Sequence, residues 1–360
     1  MSGLSTWAMQ PLAPALLVIC CSVAFFAIRA MTKSCHRPAS ETSVRGSKAL
    51  KPPEKPVKHI EPLANFDYEA TQRHEFRPFK PIFHITMALQ SDTPSDLITI
   101  DQDYLSRINI RKALIDEHPN RVHGCVPAGV DAVHELHQYL FHEYLPVRYP
   151  TIFQQVDGER GRMLRNSITG MDHPTAVQED SMAALLALGT SVEEDLFLLK
   201  PTPDGHQCVA FMCCFPSGWD PAEKLGRHMK QIHATVPGYE KIGPSMERFF
   251  GKLEAGKSVK RQNWTVQTHA NLYAAKGNHI HGEEDVQEEE IDIEKTFLRV
   301  ELQTLSRLPK THSILFSFKT FLYPIKDLKQ EGLGPRLADA IEGLRKGNTP
   351  GMWRYKMILE

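Results

Sequence analysis

Two apolar runs joined by a short turn place the strongest constraint on the fold. The runs cover 195–200 and 207–215, and the segment PTPDG (201–205) separates them. An Asp-Gly pair between apolar runs is typical of a β-hairpin, because both residues tolerate the positive φ angles of a tight turn. We therefore expect an antiparallel sheet in the middle of this chain.

Helical patterns come mainly before this hairpin, and further strand patterns come mainly after it. Apolar periodicity and capping residues predict helices over 101–118, 130–144, 181–189, 220–232 and 333–344, and another from 243 onward. Further strands are predicted over 151–154, 264–268, 297–305 and 313–323. This arrangement indicates an α+β fold, with helices covering one face of an antiparallel sheet.

The N-terminal region has the pattern of a membrane anchor. The first 28 residues carry no charged side chain, and a nearly unbroken apolar run covers 12–28, which is just long enough to cross a bilayer as a helix. Basic residues follow the run, so the positive-inside rule places the rest of the chain in the cytosol. We expect a single-pass signal anchor over 1–31, in contact with the lipid bilayer through 12–28, at the endoplasmic reticulum. A cleaved or organellar signal is the alternative.

A basic, proline-containing segment over 32–65 is expected to be a flexible linker, which leads to a folded domain over 66–360. The formal net charge of the whole chain is −1, so nothing in its global charge favours a nucleic-acid partner. The chain lacks the GxGxxG, P-loop, GxSxG and kinase motifs. Dinucleotide, nucleotide and serine-hydrolase chemistry therefore have no support in the sequence.

Histidines are concentrated on the predicted helix over 130–144, at His134, His137 and His142. Their spacing does not form the HExxH zinc motif, because Glu135 is followed by Leu136 and His137. We expect a solvated, histidine-rich helix face rather than a metal site.

Polar side chains alternate with aromatic and apolar ones between residues 215 and 309. A buried polar group without a partner costs about 1–3 kcal/mol, so packing alone does not favour this mixture. The stretch either builds a polar network inside the core or lines a ligand pocket. The candidate residues are His233, Asn263, Gln267, Arg299, Glu301, Gln303 and Arg307.

His233 follows a predicted helix and precedes a turn that Pro237 and Gly238 make rigid. A histidine in that position is suited to be an axial metal ligand, because the turn orients the ring. The alternative is a histidine that is hydrogen-bonded within its own loop.

The strand from Arg299 to Gln303 alternates polar and apolar residues, so Arg299, Glu301 and Gln303 share one face. Together with Asn263 and Gln267 on a neighbouring strand, they are expected to form the wall of a polar cavity. A solvated sheet face is the alternative. Arg299 and Arg307 are suited to bind carboxylates, because a guanidinium binds them with two parallel hydrogen bonds.

Four segments in this stretch resemble one family. PSGWDPAEKLG (216–226), IHATVPGYEKIGPSMERFF (232–250), RQNWTVQTH (261–269) and LRVELQTLSRLP (298–309) are similar to the haem-dependent oxidative N-demethylase alpha-subunit-like family. The resemblance covers roughly residues 77–355. It implies a PAS-like domain that holds haem b through a histidine and removes a methyl group from a small secondary amine, with release of formaldehyde.

The resemblance also implies roles for the candidate residues. His233 would bind the haem iron, while Arg299 and Arg307 would hold the haem propionates or the substrate. Asn263 and Gln267 would belong to the cofactor site, and Glu301 and Gln303 would be the catalytic polar groups.

Electrons in that family come from NADPH through flavin and iron–sulfur subunits. This chain carries no flavin fingerprint and no iron–sulfur cysteine run, so the resemblance implies a separate reductase partner. The alternative function is a haem or small-molecule sensor, or a scaffold, without turnover.

Overall fold

A seven-stranded antiparallel sheet forms the centre of the structure. The computed structural model describes residues 59–159, 161–176, 179–279 and 291–356. These residues belong to the unit Pro56–Glu360, so the predicted anchor (1–31) and the predicted linker up to residue 58 lie outside them. Among the described residues, no helix combines the length and the apolar character needed to cross a membrane.

The strands of the described residues are short at the sheet edge and long at its centre. They are Gln90–Asp92 (β1), His123–Cys125 (β2), Phe153–Gly158 (β3), Gly161–Asn166 (β4), Asp172–Pro174 (β5), Asp195–Thr202 (β6), Gly205–Met212 (β7), Ser258–Gln267 (β8), Phe297–Arg307 (β9) and Ile314–Pro324 (β10). The large sheet has the order β1-β8-β9-β10-β6-β7-β2, and β3, β4 and β5 form a separate small sheet.

The helices of the described residues fall before, between and after the long strands. They are Tyr104–Glu117 (α1), Val130–Gln138 (α2), Leu145–Arg148 (α3), Ser181–Gly189 (α4), Met229–Ile232 (α5), Tyr239–Lys252 (α6), Ile325–Gln330 (α7), Gly334–Lys346 (α8) and Met352–Tyr355 (α9). A π-helical stretch, Tyr139–Tyr144, connects α2 to α3.

Elements pack on both faces of the large sheet, which confirms the α+β prediction but not the expectation of one covered face. Leu196 and Leu198 of β6 lie in the core with α1, α2 and α4, whereas Phe197 and Leu199 pack with residues of α5 and α6. The segment 196–199 is apolar at every position, and a strand buried on both faces has this continuous pattern.

Local signals with a clear mechanism predicted the elements best. The hairpin of β6 and β7 closes at Thr202 and Gly205 as predicted, and α4 has the predicted bounds. The predicted helix over 220–232 is wrong in its middle, because only its two ends are helical. Asp220 caps a short 3-10 turn, but Gly226 then adopts a φ of 75°, which interrupts the helix before α5 begins.

The expectation of a solvated histidine face on α2 is also wrong. His137 is completely buried, and its ring lies 4.3 Å from the ring of Phe141. Burial lowers the pKa of His137 to about 4, with smaller contributions from His173, His142 and His134. Glu135 and His137 are buried together with the apolar residues of α2, whereas Asp131 remains exposed.

Candidate functional site

A cavity of about 730 Å³ lies against the sheet face that carries Phe197 and Phe318. Its walls come from β6, β8, β9 and β10, from α5, α6 and α9, and from the irregular segment 78–89 that precedes β1. Binding sites for small molecules and cofactors commonly have this size.

Much of the cavity wall is aromatic. The rings of Phe197 and Phe318 are nearly parallel with centroids 6.2 Å apart, and Trp219 meets Phe318 edge-on at 6.5 Å. Such a wall suits a large, flat, apolar ligand, because ring faces and edges provide extensive contact area. The main apolar lining residues are Phe197, Trp219, Met229, Phe249, Phe316 and Phe318.

His233 lines this cavity just after α5. Its backbone N–H donates to the Met229 carbonyl at 3.1 Å, and its Nδ1–H donates to the same oxygen at 2.9 Å. The ring also stacks on Tyr239, with centroids 4.8 Å apart and planes 5° apart. These contacts fix the ring and the tautomer, which places the lone pair on Nε2.

Burial is the main cause that lowers the pKa of His233, and the nearby cations Lys224 and Arg261 lower it further. The Met229 hydrogen bond opposes this shift only in part. The imidazole is therefore neutral at neutral pH, which is the state that binds a metal ion.

The polar wall of the cavity follows the register of β8 and β9. Asn263 pairs with Glu301, and Arg261 pairs with Gln303, so all four side chains lie on one face. Gln303 Nε2 donates to Glu301 Oε2 at 2.9 Å, and Asn263 Nδ2 donates to the same oxygen at 3.5 Å. Glu301 is only 7% exposed, so its carboxylate is held in place inside the cavity wall.

Lys356 adds a buried cation to this wall. Its Nζ donates to Asn263 Oδ1 at 3.1 Å and to the Trp264 carbonyl, and it lies 5.3 Å from the centre of the Trp264 ring. Burial lowers the pKa of Lys356 to about 8, and Glu301 offsets only part of that shift.

Arg261 is the second cation of this wall, and neither Lys356 nor Arg261 was predicted from the sequence. Within the part of the chain that the structure describes, its buried Nε has no hydrogen-bond partner. Arg261 lies two residues before Asn263 on the same strand face, so strand alternation was a usable signal. Lys356 had no such signal, because only the fold brings the C-terminal segment to β8.

Three predicted site residues lie outside the cavity wall. Arg299 donates to the carbonyls of Leu272 at 3.0 Å and Phe215 at 2.6 Å, and its Nε lies 3.9 Å from Glu301 Oε1. Gln267 Nε2 donates to the His269 carbonyl at 2.7 Å. The side chains of Arg299 and Gln267 thus stabilise loops beside the cavity through hydrogen bonds to backbone carbonyls.

Arg307 lies at the far end of β9 from Arg299. Its guanidinium donates to the carbonyl of Leu253 at 2.5 Å and to that of Phe250. These are carbonyls at the C-terminal end of α6, so Arg307 holds that helix against the sheet. His233, Asn263, Glu301 and Gln303 are the predicted site residues that the structure brings together around one cavity.

The chain matches one known family over most of its length. Residues 88–360 match the family described as haem-dependent oxidative N-demethylase, alpha subunit-like. The match includes His233, the polar wall and Lys356, but it begins after most of the segment 78–89. This chain belongs to the haem-dependent oxidative N-demethylase, alpha subunit-like family.

Proposed function

We propose that this protein binds haem b in the cavity through His233 and removes a methyl group oxidatively from a small amine. The observation that carries the proposal is the fixed, neutral imidazole of His233 at an aromatic cavity. Its Nδ1–H is occupied by the Met229 carbonyl, as is usual for a histidine that ligates a metal through Nε2.

The residues present fit a haem. The cavity has the size of a cofactor site, its aromatic wall suits a flat macrocycle, and His233 would hold the iron. In the described part of the chain, no group of three or more metal-binding side chains lies together. A porphyrin would supply the other ligands of an iron ion bound at His233.

Bound haem would supply the oxygen chemistry that oxidises a C–H bond next to the amine nitrogen. The protein's own part is to orient the amine and to exclude water. The Glu301 carboxylate suits an ammonium group, because charge-assisted hydrogen bonds are the strong ones. Gln303 and Asn263 hold that carboxylate in position.

The partners and the location are part of the same proposal. Electrons would come from NADPH through a separate reductase with flavin and iron–sulfur centres, and the sheet would serve as a PAS-like haem-binding scaffold. The apolar run at 12–28 would anchor the domain to the cytosolic side of a membrane.

Formaldehyde release tests the activity. The haem-loaded protein, supplied with a reductase and NADPH, is expected to convert dimethylamine to formaldehyde. Glu301→Gln should lower kcat/KM by roughly 10- to 100-fold, because it removes one charge-assisted hydrogen bond. Glu240→Gln, an exposed change in the first turn of α6, should leave it unaltered.

The outcomes separate the candidate functions. A protein that binds haem but releases no formaldehyde is a haem or small-molecule sensor, or a scaffold. A protein that shows no Soret band after incubation with hemin is not a haem enzyme, and the proposal then fails.

A further inference from the structure

Cations outnumber carboxylates around the cavity. Among the described lining residues there are four side chains of Lys or Arg and a single carboxylate, that of Glu301. A formal excess of three positive charges is unfavourable for an empty, partly buried site, because the cations repel one another. It is also unfavourable for a cationic amine. The four cationic residues are Lys80, Lys224, Arg261 and Lys356.

In the described structure, the Arg261 guanidinium keeps a buried donor without a hydrogen-bond partner. Its Nε is buried and has no acceptor among the described residues, and burial is the main cause that lowers its pKa. A guanidinium carries five N–H donors in a planar fork that matches a carboxylate. Leaving a buried charge without a hydrogen-bonded partner is costly, so this side chain is suited to a ligand that brings its own negative charge.

Lys356, at the end of α9, contacts the strand β8 that carries Arg261. Its Nζ is hydrogen-bonded to Asn263, which is two residues from Arg261 on the same face, about 7 Å along the strand. Two of its three N–H groups reach acceptors in the described structure. One N–H is left for a further acceptor.

We propose that Arg261 and Lys356 hold the two propionate carboxylates of the bound haem. This inference rests on the proposed function, because it assigns the anion-binding residues of the same site. It replaces Arg299 and Arg307 in that role, since both donate to backbone carbonyls outside the cavity.

The assignment also explains how one cavity can accept a dianionic cofactor and then a cationic amine. Two propionates would neutralise two of the excess positive charges. The Glu301 carboxylate would then face an ammonium group in a wall whose formal excess has fallen from three positive charges to one, so the repulsion is weaker.

Titration with hemin and with its dimethyl ester tests this directly, because the ester keeps the macrocycle and removes both carboxylate charges. Arg261→Gln and Lys356→Met should each weaken hemin binding by roughly 10- to 100-fold, the range expected for one charge-assisted hydrogen bond. Binding of the dimethyl ester should change by less than about threefold. Arg261→Lys keeps the charge and should retain part of the hemin affinity.

Lys346→Gln is the matched control, because Lys346 is an exposed residue of α8 outside the cavity lining. It removes the same charge and should leave hemin affinity within about threefold of the wild type. Normal ester binding in each variant also shows that the variant is folded.

Two results would overturn the inference. One is unchanged hemin affinity in both Arg261→Gln and Lys356→Met. The other is an equal loss for hemin and for its ester, which would mean that these residues shape the cavity rather than bind carboxylates. A wild-type protein that binds neither compound would refute the proposed function, and this inference with it.

Discussion

Two buried lysines, one on the large sheet and one that contacts it from the end of α9, have opposite environments. Lys319 of β10 donates to Asp101 at 2.8 Å and to Glu193 at 2.9 Å. Burial alone would lower its pKa, but these carboxylates outweigh burial and raise the pKa above its ordinary value. Lys356 is equally buried, yet its pKa is lowered to about 8 because a single carboxylate, Glu301, offsets burial only in part.

The arginines repeat this contrast. Arg111 of α1 pairs with Asp195 at 2.6 Å in the core, whereas Arg261 at the cavity has an unpartnered Nε among the described residues. In the described residues, folding therefore pairs buried cations closely on the side packed by α1, α2 and α4, whereas the cavity cations share a single carboxylate, Glu301. A buried charge that the fold does not neutralise therefore indicates where a charged ligand binds.

The largest effect is expected from Lys319→Met. Removing this lysine leaves Asp101 and Glu193 buried without their counter-charge, so the free energy of unfolding should fall by about 3–5 kcal/mol. Urea denaturation of the haem-free protein measures this change. A loss below 1 kcal/mol would show that the two sides of the molecule do not differ in the way described.

Arg299→Met should have the next largest effect. It removes the donors to the Phe215 and Leu272 carbonyls, and each buried acceptor left unsatisfied costs about 1–3 kcal/mol. The same denaturation experiment measures the loss. If Arg299→Met instead leaves stability unchanged and abolishes hemin binding, Arg299 is a ligand-binding residue and the assignment to Arg261 is wrong.

The pH dependence of the free energy of unfolding tests the predicted difference between the two lysines. Between pH 8 and 10.5 the unfolded chain keeps the proton of Lys356 while the folded chain loses it. The free energy of unfolding of the wild type should therefore rise with pH, relative to Lys356→Met, by on the order of 1–3 kcal/mol across that window. Parallel curves for the two proteins would mean that Lys356 has an ordinary pKa.

The smallest effect is expected from Arg261→Met in the haem-free protein. The buried Nε of this guanidinium has no hydrogen-bond partner among the described residues, so replacing the side chain with an apolar one should change the free energy of unfolding by about 1 kcal/mol or less, in either direction. Destabilisation as large as that of Arg299→Met would show that Arg261 is structural.

Local patterns predicted much of the fold but only part of the site. The hairpin at Asp204-Gly205 and the helix α4 follow from short-range signals, and strand alternation placed Asn263, Glu301 and Gln303 on one face. Alternation also placed Arg299 on that face, and we expected it to line the cavity. A sequence pattern does not show which part of a strand face is covered by a loop. The carbonyls of Phe215 and Leu272 cover Arg299 and leave Arg261 at the cavity.

Other features depend on contacts between distant parts of the chain. Lys356 joins the site because α9 packs beside Trp264, more than ninety residues away in sequence. The burial of His137 depends on how α2 is enclosed, and no periodicity within 130–144 indicates it. The small sheet of β3, β4 and β5 was predicted only at its first strand, because its other strands are short and polar.

Spectra of His233→Ala and His312→Asn after incubation with hemin test the central claim most directly. His312 is an exposed turn residue with a φ of 56°, a conformation that asparagine tolerates, so His312→Asn is a matched loss of one imidazole. The account predicts that the wild type and His312→Asn bind hemin with the same Soret band. His233→Ala should lose that band. If this variant still binds hemin, its affinity should fall by more than the ~10- to 100-fold loss that is typical when a residue supporting a metal ligand is replaced. An unchanged spectrum and affinity in His233→Ala would contradict the account.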